Sequence, residues 1–107
     1  MADFMKLLQQ AKEMQERMQR MKDELKAKSV TGAAGGGMVT VEADGTGAVR
    51  RVRIDPSTLA GGDVEMLEDL VIAAVNEAQQ RAEQIYEEEM KKVAGGFPLP
   101  FNLPNFP

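Results

Sequence analysis

The sequence predicts an α+β fold in which two long helices flank a three-stranded antiparallel sheet, in the order α-β-β-β-α. Three observations predict it. A heptad seam runs without interruption from Phe4 to Leu25, and a glycine-punctuated stretch with period-two alternation fills residues 30–56. A second helical stripe, alanine-rich at its centre, then runs to about Val93. A chain of 107 residues has room for one domain. We expect residues 1–94 to form it and residues 95–107, rich in Gly, Pro and Phe, to be a flexible tail.

The first helix is marked by Phe4, Leu7, Ala11, Met14, Met18, Met21 and Leu25, which alternate in steps of three and four as a and d positions do. Glu13 with Arg17 and Glu16 with Arg20 stand four apart, acid first, the favourable order on a helix surface. Asp3 is the expected N-cap. The helix is expected to end near Lys28, because Ser29, Val30 and Thr31 lower helix propensity and Gly32 follows. The seam packs either on the chain's own second helix or on another copy. With Met and Ala where Leu and Ile are usual, it makes a weak coiled coil alone.

In the sheet, Val39, Val41 and Ala43 point one way and Met38, Thr40 and Glu42 the other. Asp44-Gly45, followed by Thr46-Gly47, signals a hairpin. On the returning strand, Ala48 to Ile54, the alternation puts Val52 and Ile54 on one face with Arg50, and Val49 with Arg51 and Arg53 on the other. A further short strand covers Ser29 to Ala33, joined by Gly35-Gly36-Gly37. Asp55-Pro56 ends the sheet, since proline donates nothing to a ladder.

Asp63 is the expected N-cap of the second helix, with Glu65 in its first turn. Leu67, Leu70, Val71, Ala74, Ala78, Ala82 and Ile85 form its inner stripe, and Gly95-Gly96 stops it. Residues 70–75 are apolar on nearly every side, so one face of this stretch is expected to meet another subunit. The tail FPLPFNLPNFP holds no regular element. It is either disordered or a segment whose aromatic rings dock on a sister subunit or a partner protein.

Composition argues against catalysis. Histidine and cysteine are both absent, which removes the commonest general base and metal ligand, thiolate nucleophiles, disulfides and thiolate metal sites. Gly35-Gly36-Gly37 lacks the lysine and hydroxyl of a phosphate loop and precedes a strand, so it reads as a connector. Glu83, Glu87, Glu88 and Glu89 point in different directions around a helix and read as a solvated end. No enzyme activity, cofactor, metal or small-molecule substrate is expected. No run of about 18 apolar residues could span a membrane. The start, MADFMKLLQQ, lacks the basic and apolar regions of a secretory signal, so the expected location is the cytoplasm. With 5% aromatics and 8 methionines, the core is of the adaptable kind that a partner chain completes.

The net charge of −4 is uneven: the basic residues gather in residues 1–56 and the acids dominate the rest. Arg50, Arg51 and Arg53, supported by Arg17, Arg20, Lys22, Lys26 and Lys28, are the candidate contacts to a phosphate backbone. The alternative for the strand arginines is a solvated sheet face whose edge is protected by charge. No aromatic interleaves with them, so they permit backbone contact with little base readout.

The order of parts, from KEMQERMQRMKDEL through VTG, GGGMVTV and VRRVRIDPSTL to LEDLVIAAVNEAQQRAEQ and the Phe/Pro tail, resembles the YbaB/EbfC family of bacterial nucleoid-associated proteins. The resemblance covers roughly residues 4–107. It implies a tweezer-like homodimer joined through the sheet and second helices, with the first helices projecting. It also implies binding to double-stranded DNA with low sequence specificity, without enzymatic activity, in bacterial chromosome organisation and gene regulation at the nucleoid. On this reading Val49, Val52, Ile54, Leu70, Val71, Ile72, Ala74 and Val75 are the expected dimer interface. The rival reading is a dimeric adaptor that binds proteins through the heptad helix or the Phe/Pro tail.

Overall fold

The structure, a computed structural model, describes residues 2–95. Its elements are α1 (Ala2–Ala27), β1 (Ser29–Ala34), β2 (Val39–Asp44), β3 (Val49–Ile54) and α2 (Val64–Gly95), with single 3-10 turns at Gly35–Gly37 and Pro56–Leu59. The expected α-β-β-β-α order is therefore the observed one. The tail beyond Gly95 lies outside the described residues.

The three strands form an antiparallel sheet in the order β1-β2-β3. The β1–β2 link closes through three glycines that all have positive φ, from 64° to 96°, a conformation that side chains resist. The β2–β3 hairpin closes where the Asp44 amide donates to the Ala48 carbonyl at 2.9 Å, as Asp44-Gly45 leads one to expect. The residue that makes this turn rigid is Asp44. Its carboxylate accepts from the amides of Thr46 at 2.8 Å and Ala48 at 3.1 Å and from the Thr46 hydroxyl.

α2 crosses β1 and β2 and leaves β3 largely bare. Val30, Val39, Val41 and Ala43 pack there against Ala74, Ala78 and Ala82. The small residues allow close approach, closest at Gly32. A Cβ on Gly32 would come within 3.0 Å of the Ala74 carbonyl oxygen and the Ala78 amide nitrogen. Arg81 also ties the helix to the sheet, donating to the Thr31 carbonyl at 2.8 Å while paired with Glu77. Fully burying a valine such as Val39 or Val41 contributes about 1.5–3 kcal/mol.

Past Ala82, α2 leaves the sheet and runs antiparallel beside α1, with Glu89 reaching Lys28 just past the end of α1 and Val93 sharing a groove with Arg17, Arg20 and Met21. Met21, Leu25 and Val93 form a second small core, flanked by Met14, Met18, Ile85 and Met90. The seam thus packs within the chain over its carboxyl half. In its amino-terminal half Phe4, Leu7 and Leu8 stay exposed. The molecule is consequently long and thin, 71 × 27 × 16 Å.

Two expectations need correction. α1 already includes Ala2, so Asp3 sits inside its first turn rather than capping it, where its charge still complements the helix dipole. Asp63 does cap α2, its carboxylate accepting from the Met66 amide at 3.0 Å. The second correction concerns β3. Arg51 pairs with Glu42 but Val49 pairs with Ala43, so a bulge places one extra residue, Arg50, between them. Strict alternation assigns Val49 to the arginine face. The bulge returns Val49 to the face of Val52 and Ile54, and it takes Arg50 out of the alternation.

Candidate nucleic-acid interface

The eight basic side chains singled out from the sequence do not form one patch within a chain. Arg17 and Arg20 flank one side of α1, along a shallow groove shared with Glu24, Glu89 and Lys92. Lys28, on the same side, reaches Glu89 at 3.5 Å, and Lys92 reaches that carboxylate at 3.2 Å. Lys92, chiefly by its hydrogen bond, and then Lys28 hold the Glu89 carboxyl below its usual range, with burial opposing them.

Lys22 and Lys26 occupy the other flank of α1. They line a cleft of about 510 Å³ whose far walls are Thr46, Gly47, Gln79, Glu83 and Tyr86. Arg51 and Arg53 stand on the sheet face away from α2, beside Thr31, Thr40 and Glu42. The side chains of Arg20, Lys22, Lys26, Arg51 and Arg53 are exposed and make no hydrogen bond or ion pair among the described residues. They are the groups available to an external anion.

Arg50 is committed elsewhere. One guanidinium nitrogen donates to Asp44 Oδ2 at 3.0 Å and to the Lys26 carbonyl at 2.8 Å. The Leu25 carbonyl, one residue earlier, accepts from the amides of Gly45 at 2.8 Å and Lys28 at 3.1 Å. The last carbonyls of α1 are thus satisfied by the hairpin turn and by Arg50, which meets the need every helix terminus has. Sequence alternation has no means of finding this role, because the bulge and the approach of α1 to the turn are both tertiary. Asp44, which sequence reading treats only as a turn residue, is the hub of the arrangement. Its carboxyl is lowered from 3.8 to about 2, chiefly by the Thr46 hydroxyl; burial opposes this, while the Thr46 and Ala48 amides and Arg50 reinforce it.

The apolar residues expected at a dimer interface fall into two sets. Val49, Val52 and Ile54 lie on the α2 side of β3 yet are 42%, 44% and 37% exposed, because α2 does not reach them. Ile72 is exposed on α2, and Leu70, Val71 and Val75 are half-buried. Ala74 has no accessible surface: its side chain packs in the chain's own core and its carbonyl lies against Gly32.

A match to the YbaB/EbfC DNA-binding family extends over residues 1–97. The chain belongs to this family. It is 46% identical over 102 residues to a nucleoid-associated protein of Gemmatimonas aurantiaca, covering 95% of this chain and 98% of that one. It is 42% identical over 106 residues to a nucleoid-associated protein of Bartonella tribocorum, covering 97% and 99%. Among solved structures, an uncharacterised protein of Helicobacter pylori superposes with a TM-score of 0.69 at 27% identity, over 84% of this chain and 90% of that one.

Membership agrees with the chemistry of the surface. This YbaB/EbfC chain is a DNA-binding family member and not an enzyme. Among the described residues no group of three or more Asp or Glu is arranged to hold a metal ion, and no helix is long and apolar enough to cross a membrane. The adaptor reading gains nothing from these matches.

Proposed function

We propose that the chain acts as a homodimeric, nucleoid-associated protein that binds double-stranded DNA through its phosphates, with low sequence specificity. By bridging or shaping the duplex in the cytoplasmic nucleoid it would influence gene expression. The observation that carries this reading is a set of five exposed basic side chains that form no ion pair among the described residues, Arg20, Lys22, Lys26, Arg51 and Arg53, on a member of a DNA-binding family. Lysine and arginine heads on helix flanks and an open sheet face suit backbone contact, and no element is presented for reading base edges. The net charge of −4 means that attraction is local and short in range.

Dimerisation supplies what one chain lacks. The apolar side of β3, with Val49, Val52 and Ile54, is the surface offered to a second copy, and Ile72 with the exposed parts of Leu70, Val71 and Val75 extends it. Two copies bring two sets of α1 flanks and two arginine faces to one duplex. Contacts too few for tight binding in one chain then act together.

Fluorescence anisotropy of duplex DNA over a salt series tests the proposal, with light scattering for mass. The expected mass is twice the 11.7 kDa of one chain. Each phosphate contact removed by replacing Arg20, Lys22, Lys26, Arg51 or Arg53 with glutamine lowers the salt slope by about 0.9. The loss is the same for unrelated duplex sequences. A slope unchanged by all five replacements overturns the assignment.

A further inference from the structure

Between the end of α1, the β2–β3 turn and the middle of α2 lies the cleft of about 510 Å³. Sites for small ligands have this size, and they are mostly apolar with a few placed polar groups. Leu25 and Ala82, both almost fully buried, line the apolar part, and the Tyr86 ring, 38% exposed, lines it with them. Hydrogen bonds fix the walls before anything binds. The Gly45 amide donates to the Leu25 carbonyl at 2.8 Å, and Gln79 Nε2 donates to the Gly47 carbonyl at 3.1 Å. Lys22 and Lys26, one helical turn apart, add two exposed ammonium groups that form no ion pair among the described residues. The lining has one carboxylate, Glu83, so two lysines against one acid leave a surplus of one positive charge.

We infer that this cleft binds a small, flat aromatic molecule with one negative charge, of the class of aromatic carboxylates. Its ring lies against Leu25, Ala82 and Tyr86, and its acidic group meets Lys22 and Lys26. Both parts of the ligand are needed. A bare inorganic anion gains nothing from the apolar wall, and a polyanion is opposed by Glu83. The ligand is bound and not transformed, in keeping with a chain that has neither His nor Cys. Lys22 and Lys26 are also two of the five side chains assigned above to DNA phosphates. Resting on that assignment, an occupied cleft withdraws two contacts from DNA, so ligand and duplex oppose each other's binding.

Two fluorescent probes of similar shape test the site on the full-length chain. Anilinonaphthalene sulfonate carries one negative charge, and phenylnaphthylamine carries none. Lys22→Gln with Lys26→Gln, at exposed positions, should weaken the sulfonate about tenfold and leave the uncharged probe unchanged. Tyr86→Ala should weaken both about threefold. Val52→Asp with Ile54→Asp, which alters the other exposed apolar surface, should change neither. An unaffected sulfonate in the lysine variant, equal weakening of both probes there, or loss of binding in the strand variant alone overturns the proposal. Anisotropy of a labelled duplex reads the link to DNA. Saturating sulfonate should weaken DNA binding about threefold or more in the parent chain and not in the lysine variant. Equal effects in the two chains overturn the link and leave the cleft site standing. A parent chain that binds no duplex overturns the DNA reading and the link together, again without touching the probe result.

Discussion

Asp44 and Arg50 decide more at the residue scale than their positions suggest. Asp44 is buried, and its carboxylate holds the hairpin turn together with the guanidinium that closes the end of α1. Removing that acceptor in Asp44→Ala leaves several donors unmet, and a loss of about 1–3 kcal/mol in urea unfolding is expected. The pH dependence follows from the lowered carboxyl. Its folded value, about 2, lies below the usual 3.8, so the stabilisation is complete at neutral pH and lost as pH falls from about 4 to 2. Thermal melts over that range should fall less steeply for Asp44→Asn than for the parent chain. Arg50→Gln separates the two roles open to the strand arginines. It should lower stability and leave the DNA salt slope nearly intact, whereas Arg51→Gln and Arg53→Gln should do the reverse.

At the scale of elements, one glycine sets the distance between α2 and the sheet. Gly32→Ala forces a methyl against the backbone of Ala74 and Ala78, which no rotamer relieves, and about 2–3 kcal/mol of destabilisation is expected by denaturant melt. Leu25→Ala probes the other contact, the end of α1 against α2. Leu25 is almost fully buried, and its truncation should cost about 2–5 kcal/mol. The corresponding change at Leu7, which is exposed, should be far milder. Much of this level was legible in the sequence. The heptad steps located α1, the Ala74-Ala78-Ala82 stripe located the buried side of α2, and Asp63 marked its start. The faces of β3 were not legible, because a bulge leaves no mark in a run of alternating valines and arginines.

At the scale of the whole molecule, the design is a thin chain with an uncovered apolar strand side at the sheet and basic flanks on a long helix. If the proposed dimer forms through β3, Val52→Asp with Ile54→Asp should give monomers by light scattering, since paired carboxylates cannot be buried without partners. DNA affinity at low salt should fall with it, as each duplex then meets one set of contacts instead of two. A variant that stays dimeric would assign the apolar strand to another role.

The amino-acid sequence alone determined the element order, the helix stripes, the hairpin and the absence of His and Cys chemistry, because each follows from local periodicity or composition. Its basic residues could be counted but not sorted. Only the tertiary structure separated Arg50, spent on Asp44 and the Lys26 carbonyl at the end of α1, from Arg51 and Arg53, which remain open to solvent. The physical reason is that hydrogen-bond satisfaction is non-local. Whether an arginine is available to a phosphate depends on a helix end and a turn that approach it only after the chain has folded.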